Sequence, residues 1–163
     1  MAVNAFLDID GVEGESIQKG YEKKIELLSF HWGASQSATT HMGTGSGSGK
    51  ANVQDISFSK NLDKTSPVLL QHLLIGTHFK KIVLTLRKVT GATQLPYLVF
   101  TMEDALLSSY STGAGMGGDD QIIENMSINF GRIKMEYTLQ DSKGNAAGKT
   151  TASWDIPKGS TIS

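Results

Sequence analysis

The chain has no cysteine among its 163 residues. Disulfide scaffolds, cysteine nucleophiles and cysteine-based zinc sites are therefore excluded, although export without cross-links is not. No stretch approaches the roughly 18 consecutive apolar residues that a spanning helix requires. Net charge is also scarce: 15 Lys and Arg against 16 Asp and Glu leave −1. So weak a field cannot drive phosphate-backbone binding by counterion release, and neither nucleic acid nor a membrane is an expected partner. Between Met1 and Ser16 stand Asp8, Asp10, Glu13 and Glu15, where a signal or transit peptide carries basic and apolar residues. The expectation is a protein made in the cytoplasm that leaves the cell, if it does, by a route blind to N-terminal signals.

Proline is rare, with 3 residues, whereas glycine numbers 18, about 11% against a usual value of roughly 7%. Many turns follow. With 39% of positions apolar, residues 1–163 are expected to form a single domain with a core that needs neither metal nor cross-links.

Most of the periodic signal has period two. From Arg132 to Leu139, Ile133, Met135, Tyr137 and Leu139 share one face and Arg132, Lys134, Glu136 and Thr138 the other. Ile82, Leu84 and Leu86 alternate with Lys81, Val83, Thr85 and Arg87, and Val53–Lys60 reads as a strand with Ile56 and Phe58 inward. Ala2–Ile9, Lys24–Ser35, Pro96–Met102, Leu106–Ser111, Ser127–Phe130 and Thr151–Ile156 are further strands by their β-branched and aromatic content. Thr65-Ser66-Pro67 differs: a hydroxyl cap and a proline at the first helical position precede Val68, Leu69, Leu70, Leu73, Leu74 and Ile75, and Gly76 supplies the stop. The predicted architecture is mainly β, an antiparallel barrel or sandwich with one short helix against it. Long Gly-rich loops are expected at Ser37–Lys50 and Thr112–Asp120.

The motifs that carry chemistry fail on context. Lys50 after Gly49 suggests a phosphate loop, but Thr44 and Ala51 stand where glycine and Ser or Thr are needed, and a strand follows instead of a helix. Gly113, Gly115 and Gly118 satisfy G-x-G-x-x-G without any βαβ alternation around them. A calcium loop begun at Asp8 meets Glu13 and Lys19 where glycine and glutamate are required. His31, His41, His72 and His78 lack metal-ligand spacing, and no G-x-S-x-G elbow occurs. No cofactor or metal is expected, and an enzyme is disfavoured. A β-rich chain must guard its sheet edges or pair them with another copy.

Particular residues are more specific than periodicity. Gly11-Val-Glu-Gly-Glu-Ser16, Ile25-Glu-Leu-Leu-Ser-Phe-His-Trp-Gly-Ala-Ser-Gln-Ser37, His41-Met-Gly with the Gly-rich run to Lys50, and Val53-Gln-Asp-Ile-Ser-Phe-Ser-Lys60 are followed by Asp63-Lys-Thr-Ser-Pro67 and Gly76-Thr-His78. Leu86-Arg-Lys88, Ser108-Ser-Tyr-Ser-Thr-Gly113 and Glu124-Asn-Met-Ser-Ile-Asn-Phe130 continue the series in order. In these stretches the chain resembles the Hcp (hemolysin-coregulated protein) family, the tube protein of bacterial type VI secretion and a structural relative of phage tail tubes. The resemblance implies a barrel of two β-sheets with a flanking helix. It also implies homohexameric rings stacked into a hollow tube, a contractile sheath and baseplate around it, a VgrG spike at its tip and effector proteins as cargo. No catalysis is implied, and the expectation for residues 1–163 is a single tube domain without a C-terminal effector extension.

Two site assignments follow from the resemblance. The loop around Ser37–Asp55, with His41, Met42, Gly43, Gly45, Gly47, Gly49 and Lys50, matches the extended loop that reaches the adjacent ring. Ser29, His31 and Gly33 face away from Phe30 and Trp32 by strand alternation, and in such a ring that outer face lines the lumen. His31 departs from the small polar residue usual there, which points to a lumen whose charge rises below about pH 6.5, the ordinary histidine value. The alternative is a monomeric β-barrel ligand-binding module with Trp32, Tyr97, Tyr110 or Trp154 in a pocket.

Overall fold

The computed structural model describes residues 2–37, 49–89, 94–118 and 121–162. Ten strands and one helix follow in the order β1 (Ala2–Ile9), β2 (Ile25–Leu27), β3 (Ser29–His31), β4 (Ala34–Gln36), β5 (Ala51–Val53), β6 (Ile56–Asn61), α1 (Ser66–Ile75), β7 (Phe79–Val89), β8 (Pro96–Gly113), β9 (Ile123–Gln140) and β10 (Ala146–Asp155). Eight of the strands form one antiparallel sheet ordered β2-β1-β7-β8-β9-β6-β3, with β10 also on β9, and β4 and β5 form a separate two-stranded ribbon. The expected run Val53–Lys60 is divided, because β5 pairs with β4, in register with the 3.0 Å bond from the Gln54 N–H to the Gly33 carbonyl, whereas β6 pairs with β3 and β9.

The sheet becomes a barrel through a slip of phase shared by three strands. On β8 the inward residues are Phe100 and Met102, then Ala105 and Leu107; on β9 they are Ile128 and Phe130, then Ile133; on β7 they are Phe79, then Ile82 and Leu84. Each strand thus turns two successive residues outward along one line: Lys80 and Lys81, Glu103 and Asp104, Gly131 and Arg132. Such an irregularity bends a strand and sharpens its twist. Asp104 has φ +49° and lies across from Gly131, where an added Cβ would touch the Asp104 side chain at 3.4 Å. Arg132 clamps the crease from outside, 3.0 Å from Glu103 and 2.9 Å from Asp104.

The two halves meet again at one short segment. Ile25–Leu27 pairs with β1, Ser29–His31 pairs with β6, and between them Leu28 donates its N–H to the Ser59 carbonyl at 2.8 Å. The core fills the space inside, with Leu7, Ile9, Ile25, Ile56, Ile82, Leu84, Met102 and Ile128 all fully buried.

The helix follows the predicted limits, and Gly76 ends it at φ +75°, its N–H shared between the His72 and Leu73 carbonyls. Its start differs from expectation. Thr65 makes no side-chain cap; its hydroxyl goes to Asp63, whose carboxylate also accepts the Thr65 N–H at 2.8 Å. The reason is Lys60. This fully buried lysine reaches Asp63 at 2.9 Å, Glu124 at 3.0 Å, Ser66 Oγ at 3.1 Å and the Asn61 carbonyl at 3.1 Å. The ammonium thus holds the turn at Asp63 in place against β9, and Asp63 in turn organises the helix entry.

Burial by itself would raise the Asp63 carboxyl, but hydrogen bonds from Thr65 and Lys60 together with the ammonium charge outweigh it and hold the group below its ordinary value. Lys60→Met, which strands Glu124, should cost about 3–5 kcal/mol in denaturant unfolding, and Lys60→Met/Glu124→Leu should recover most of that loss. A carboxyl with a lowered folded value stabilises fully above its unfolded value and loses that contribution as pH falls through the folded one. The gap in unfolding midpoint between wild type and Asp63→Asn should therefore be constant above about pH 5 and shrink below about pH 4.

Candidate functional site

The first strands position the predicted residues by simple alternation. Phe30 and Trp32 turn inward onto Phe100, with ring centroids 5.7 and 5.8 Å away, and the Trp32 indole donates to the Gln54 carbonyl at 2.9 Å. Ser29 and His31 are exposed on the opposite face, and Gly33 lies where an added Cβ would press on the Gln54 amide at 3.1 Å. Register carries that outer face across four strands in two parallel rows. One row is Ser109, Ser127, Ser57 and His31; the other is Ser111, Asn125, Ser59 and Ser29.

Four of the side chains in these rows bond in pairs. Ser29 and Ser59 share a hydrogen bond of 2.5 Å, and Ser127 meets Ser109 at 2.5 Å and Ser108 at 2.6 Å. Ser108 is the extra residue where the β8–β9 register shifts, and its hydroxyl donates to Asp55 at 2.6 Å. Asn129 donates to the other Asp55 oxygen at 2.8 Å. Sequence reading found only the β3 end of this face. The remainder was visible as hydroxyl pairs two residues apart, Ser57-x-Ser59 and Ser109-x-Ser111, but only strand pairing shows that these pairs are neighbours.

A second surface lies at the far end of β8, β9 and β10. The inward phase set by Ile133, which is 4% exposed, continues through Met135, Tyr137 and Leu139 at 36%, 40% and 48%. These side chains share the core face of the sheet, yet the barrel does not reach far enough to cover them. β10 flanks them and, among the described residues, pairs with β9 alone.

The base of the first Gly-rich loop is fixed by the β4–β5 ribbon, which pairs Gln36 with Ala51. Ser37 Oγ donates to the Lys50 carbonyl at 3.4 Å, and a Cβ at Gly49 would overlap the Ser37 backbone, so the neck accepts only glycine there. His41, Met42, Gly43, Gly45 and Gly47 lie outside the described residues. The second expected loop begins later than predicted, since β8 carries Thr112 and Gly113 into its ladder.

Of the aromatics that could form a ligand pocket, the fold brings Trp32 and Trp154 together with Ile133, Met135, Ala152 and Ser153 around a hollow of about 110 Å³. Ligand sites of drug size occupy about 300–1,000 Å³. Tyr97 instead packs under Lys88, and Tyr110 donates to Glu124 at 3.2 Å. The Tyr110 hydroxyl is pushed above its ordinary value, by burial first and then by the neighbouring Glu124 carboxylate.

Residues 6–137 match the family model described as type VI secretion system effector, Hcp. The chain is 42% identical to protein hcp1 of Pseudomonas aeruginosa over 157 residues, 96% of each chain. The chain belongs to the Hcp family. Its fold overlays a solved type six secretion system protein with a TM-score of 0.92 at 28% identity, covering 99% of this chain and 100% of the other. Hcp1 of Salmonella typhimurium aligns with a TM-score of 0.79 at 27% identity over the same shares. Type VI secretion is thus the setting of this protein, and its barrel with one helix is the Hcp fold. The Hcp barrel places the hydroxyl rows on its outer surface, and Asp55 anchors one border of them. Asp55→Ala releases Ser108 and Asn129 together and should lower stability by roughly 1 kcal/mol, measured as a drop in Tm with unchanged particle size.

Proposed function

We propose that the chain is the structural subunit of a type VI secretion tube. Copies close into a homohexameric ring, rings stack into a hollow tube, and a contractile sheath on a baseplate propels the tube behind a VgrG spike with effector proteins as cargo. On this reading the protein waits in the cytoplasm and leaves the cell with the tube, without catalysis or cofactor.

The observation that carries the reading is the uncovered core face at Met135, Tyr137 and Leu139 beside β10, which among the described residues pairs with β9 alone. A monomer gains nothing by extending an apolar face past its own barrel beside an open strand; a neighbouring copy covers both. On this reading the strip meets an unlike surface of the next copy, and head-to-tail contacts whose rotation closes give rings. Family membership supplies the biological setting. Stacking falls to the loop that leaves the β4–β5 ribbon, whose glycine and serine content tolerates changes of stacking angle. On this reading ring closure precedes stacking.

Negative-stain microscopy of the purified protein should show rings with an open centre. Tyr137→Lys/Leu139→Lys should shift the protein to single copies by size-exclusion chromatography without loss of its circular dichroism. Shortening Gly43–Gly49 should leave rings intact and stop tube growth. A wild-type protein that stays single at every concentration overturns the proposal.

A further inference from the structure

The strands β2, β1, β7, β8 and β9 form one layer whose two flanks carry complementary chemistry at the same height. Register aligns Leu27, Ala5, Leu86, Leu98 and Tyr137 in a single row across it. Tyr137 belongs to the uncovered strip on the β9 flank. Leu27 stands at the β2 flank, four interstrand steps or roughly 19 Å away, and there it lines a groove.

That groove, of about 290 Å³, is bounded by Leu27, Leu28 and Leu62 and by Glu15, Glu26 and Asp63. Leu28 and Leu62 stand half exposed in it. The Leu62 N–H reaches the Ile122 carbonyl at 2.9 Å, so the partly exposed Ile122 and Ile123 lie at the same end of the barrel. Asp63 is held by Lys60. Glu15 and Glu26 are exposed, and neither takes part in an ion pair among the described residues. Glu15 accepts the Lys64 N–H at 3.2 Å, and Glu26 accepts the Gln18 amide at 3.4 Å.

The β9 flank carries the opposite sign. Past Leu139 the turn into β10 exposes Lys143, and Lys149 pairs with Thr138 in the β9–β10 ladder. Lys149 approaches Glu136 only to 4.0 Å, and Lys134 already holds that carboxylate at 3.0 Å. The carboxylate of the same turn, Asp141, is taken up by the backbone N–H groups of Lys143 and Asn145, at 2.8 Å each. One flank thus presents apolar side chains bordered by cations, and the other an apolar groove bordered by carboxylates. Because both lie on one register row, copies set side by side meet without a rise from one to the next, the condition under which a head-to-tail contact closes instead of continuing as a helix. Burial of the tyrosine and leucines supplies affinity, and the charges at the border choose the partner and its register.

We infer that the groove at Leu28 and Leu62 is the seat of the next copy's Tyr137–Leu139 strip, with Glu15 and Glu26 facing that copy's Lys143 and Lys149. The inference rests on the ring reading proposed above and names the surface and the charges that select a second copy of this chain as occupant.

The test reverses the sign of one flank at a time and follows ring formation by sedimentation velocity over a range of concentrations. Glu15→Lys/Glu26→Lys and Lys143→Glu/Lys149→Glu should each need a concentration at least about tenfold above that of wild type to form rings. An equal mixture of the two should form rings within about threefold of the wild-type concentration, because every reversed groove then meets a reversed strip and every native groove a native one. Loss of fold in either variant could not produce that recovery. Should circular dichroism show that a reversed variant does not fold, Leu28→Cys/Leu139→Cys replaces the pair. In a chain without other cysteines, mild oxidation should then give a ladder of linked copies on a non-reducing gel, since a disulfide spans at most about 7 Å between Cα atoms and cannot bridge the two flanks of one copy. Folded reversed variants that form rings like wild type, a mixture that stays single, or an absent ladder overturns the inference. Each of these beside intact wild-type rings removes this inference alone, whereas absent wild-type rings remove the tube reading.

Discussion

A β-strand can keep only one set of alternate residues on a core, so a sheet that must wrap around its core has to break that alternation somewhere. Here three neighbouring strands break it together, between Phe79 and Ile82, Met102 and Ala105, and Phe130 and Ile133. Everything else in the barrel depends on that shared slip. It folds one continuous sheet into two facing layers, lets the segment Ile25–His31 pair with β1 on one side and β6 on the other, and turns a crease of charged residues outward where Arg132 holds Glu103 and Asp104. A slip in one strand alone would set its inward residues against the outward residues of its neighbours, at the cost of buried polar groups and exposed apolar ones.

The Lys60 cluster solves a different problem. One ammonium and two carboxylates lie inside the barrel end, where desolvation makes each charge costly unless its partners are in place. Hydrophobic residues of the same volume would serve stability as well. What the cluster adds is direction, since the lysine must meet Glu124 across the ladder and Asp63 at the helix entry at once. The helix can therefore start in only one way, and Ser66 and Leu69 are carried into the core by that start.

The two exposed surfaces differ in what they leave unmet. Met135, Tyr137 and Leu139 continue the core beyond the point where the chain can cover it, so burial there needs a neighbour. The rows of Ser and Asn are polar throughout, and in them Ser29 bonds to Ser59 and Ser109 to Ser127. One folded unit thus presents an apolar side left open and a polar one.

Much of this was legible before folding. Ala2–Ile9, read as a strand from its apolar and aromatic content, is the strand observed, Gly76 ends the helix as its conformational freedom predicts, and Phe30 and Trp32 turn inward as alternation requires. The reading of β8 as two strands, Pro96–Met102 and Leu106–Ser111, and of β9 as Ser127–Phe130 and Arg132–Leu139, failed where the phase slips, because a change of phase and a break between strands look alike in one dimension. Thr65 reads as a cap because nothing local reveals that Lys60 fixes Asp63 first. Ile133, Met135, Tyr137 and Leu139 carry the same alternation, yet only Ile133 is buried. Sequence determined which residues could share a face, because period two is a property of the backbone alone. Tertiary structure decided which faces meet, which stay open and which serines become neighbours, because those outcomes depend on strand register and on where the barrel ends.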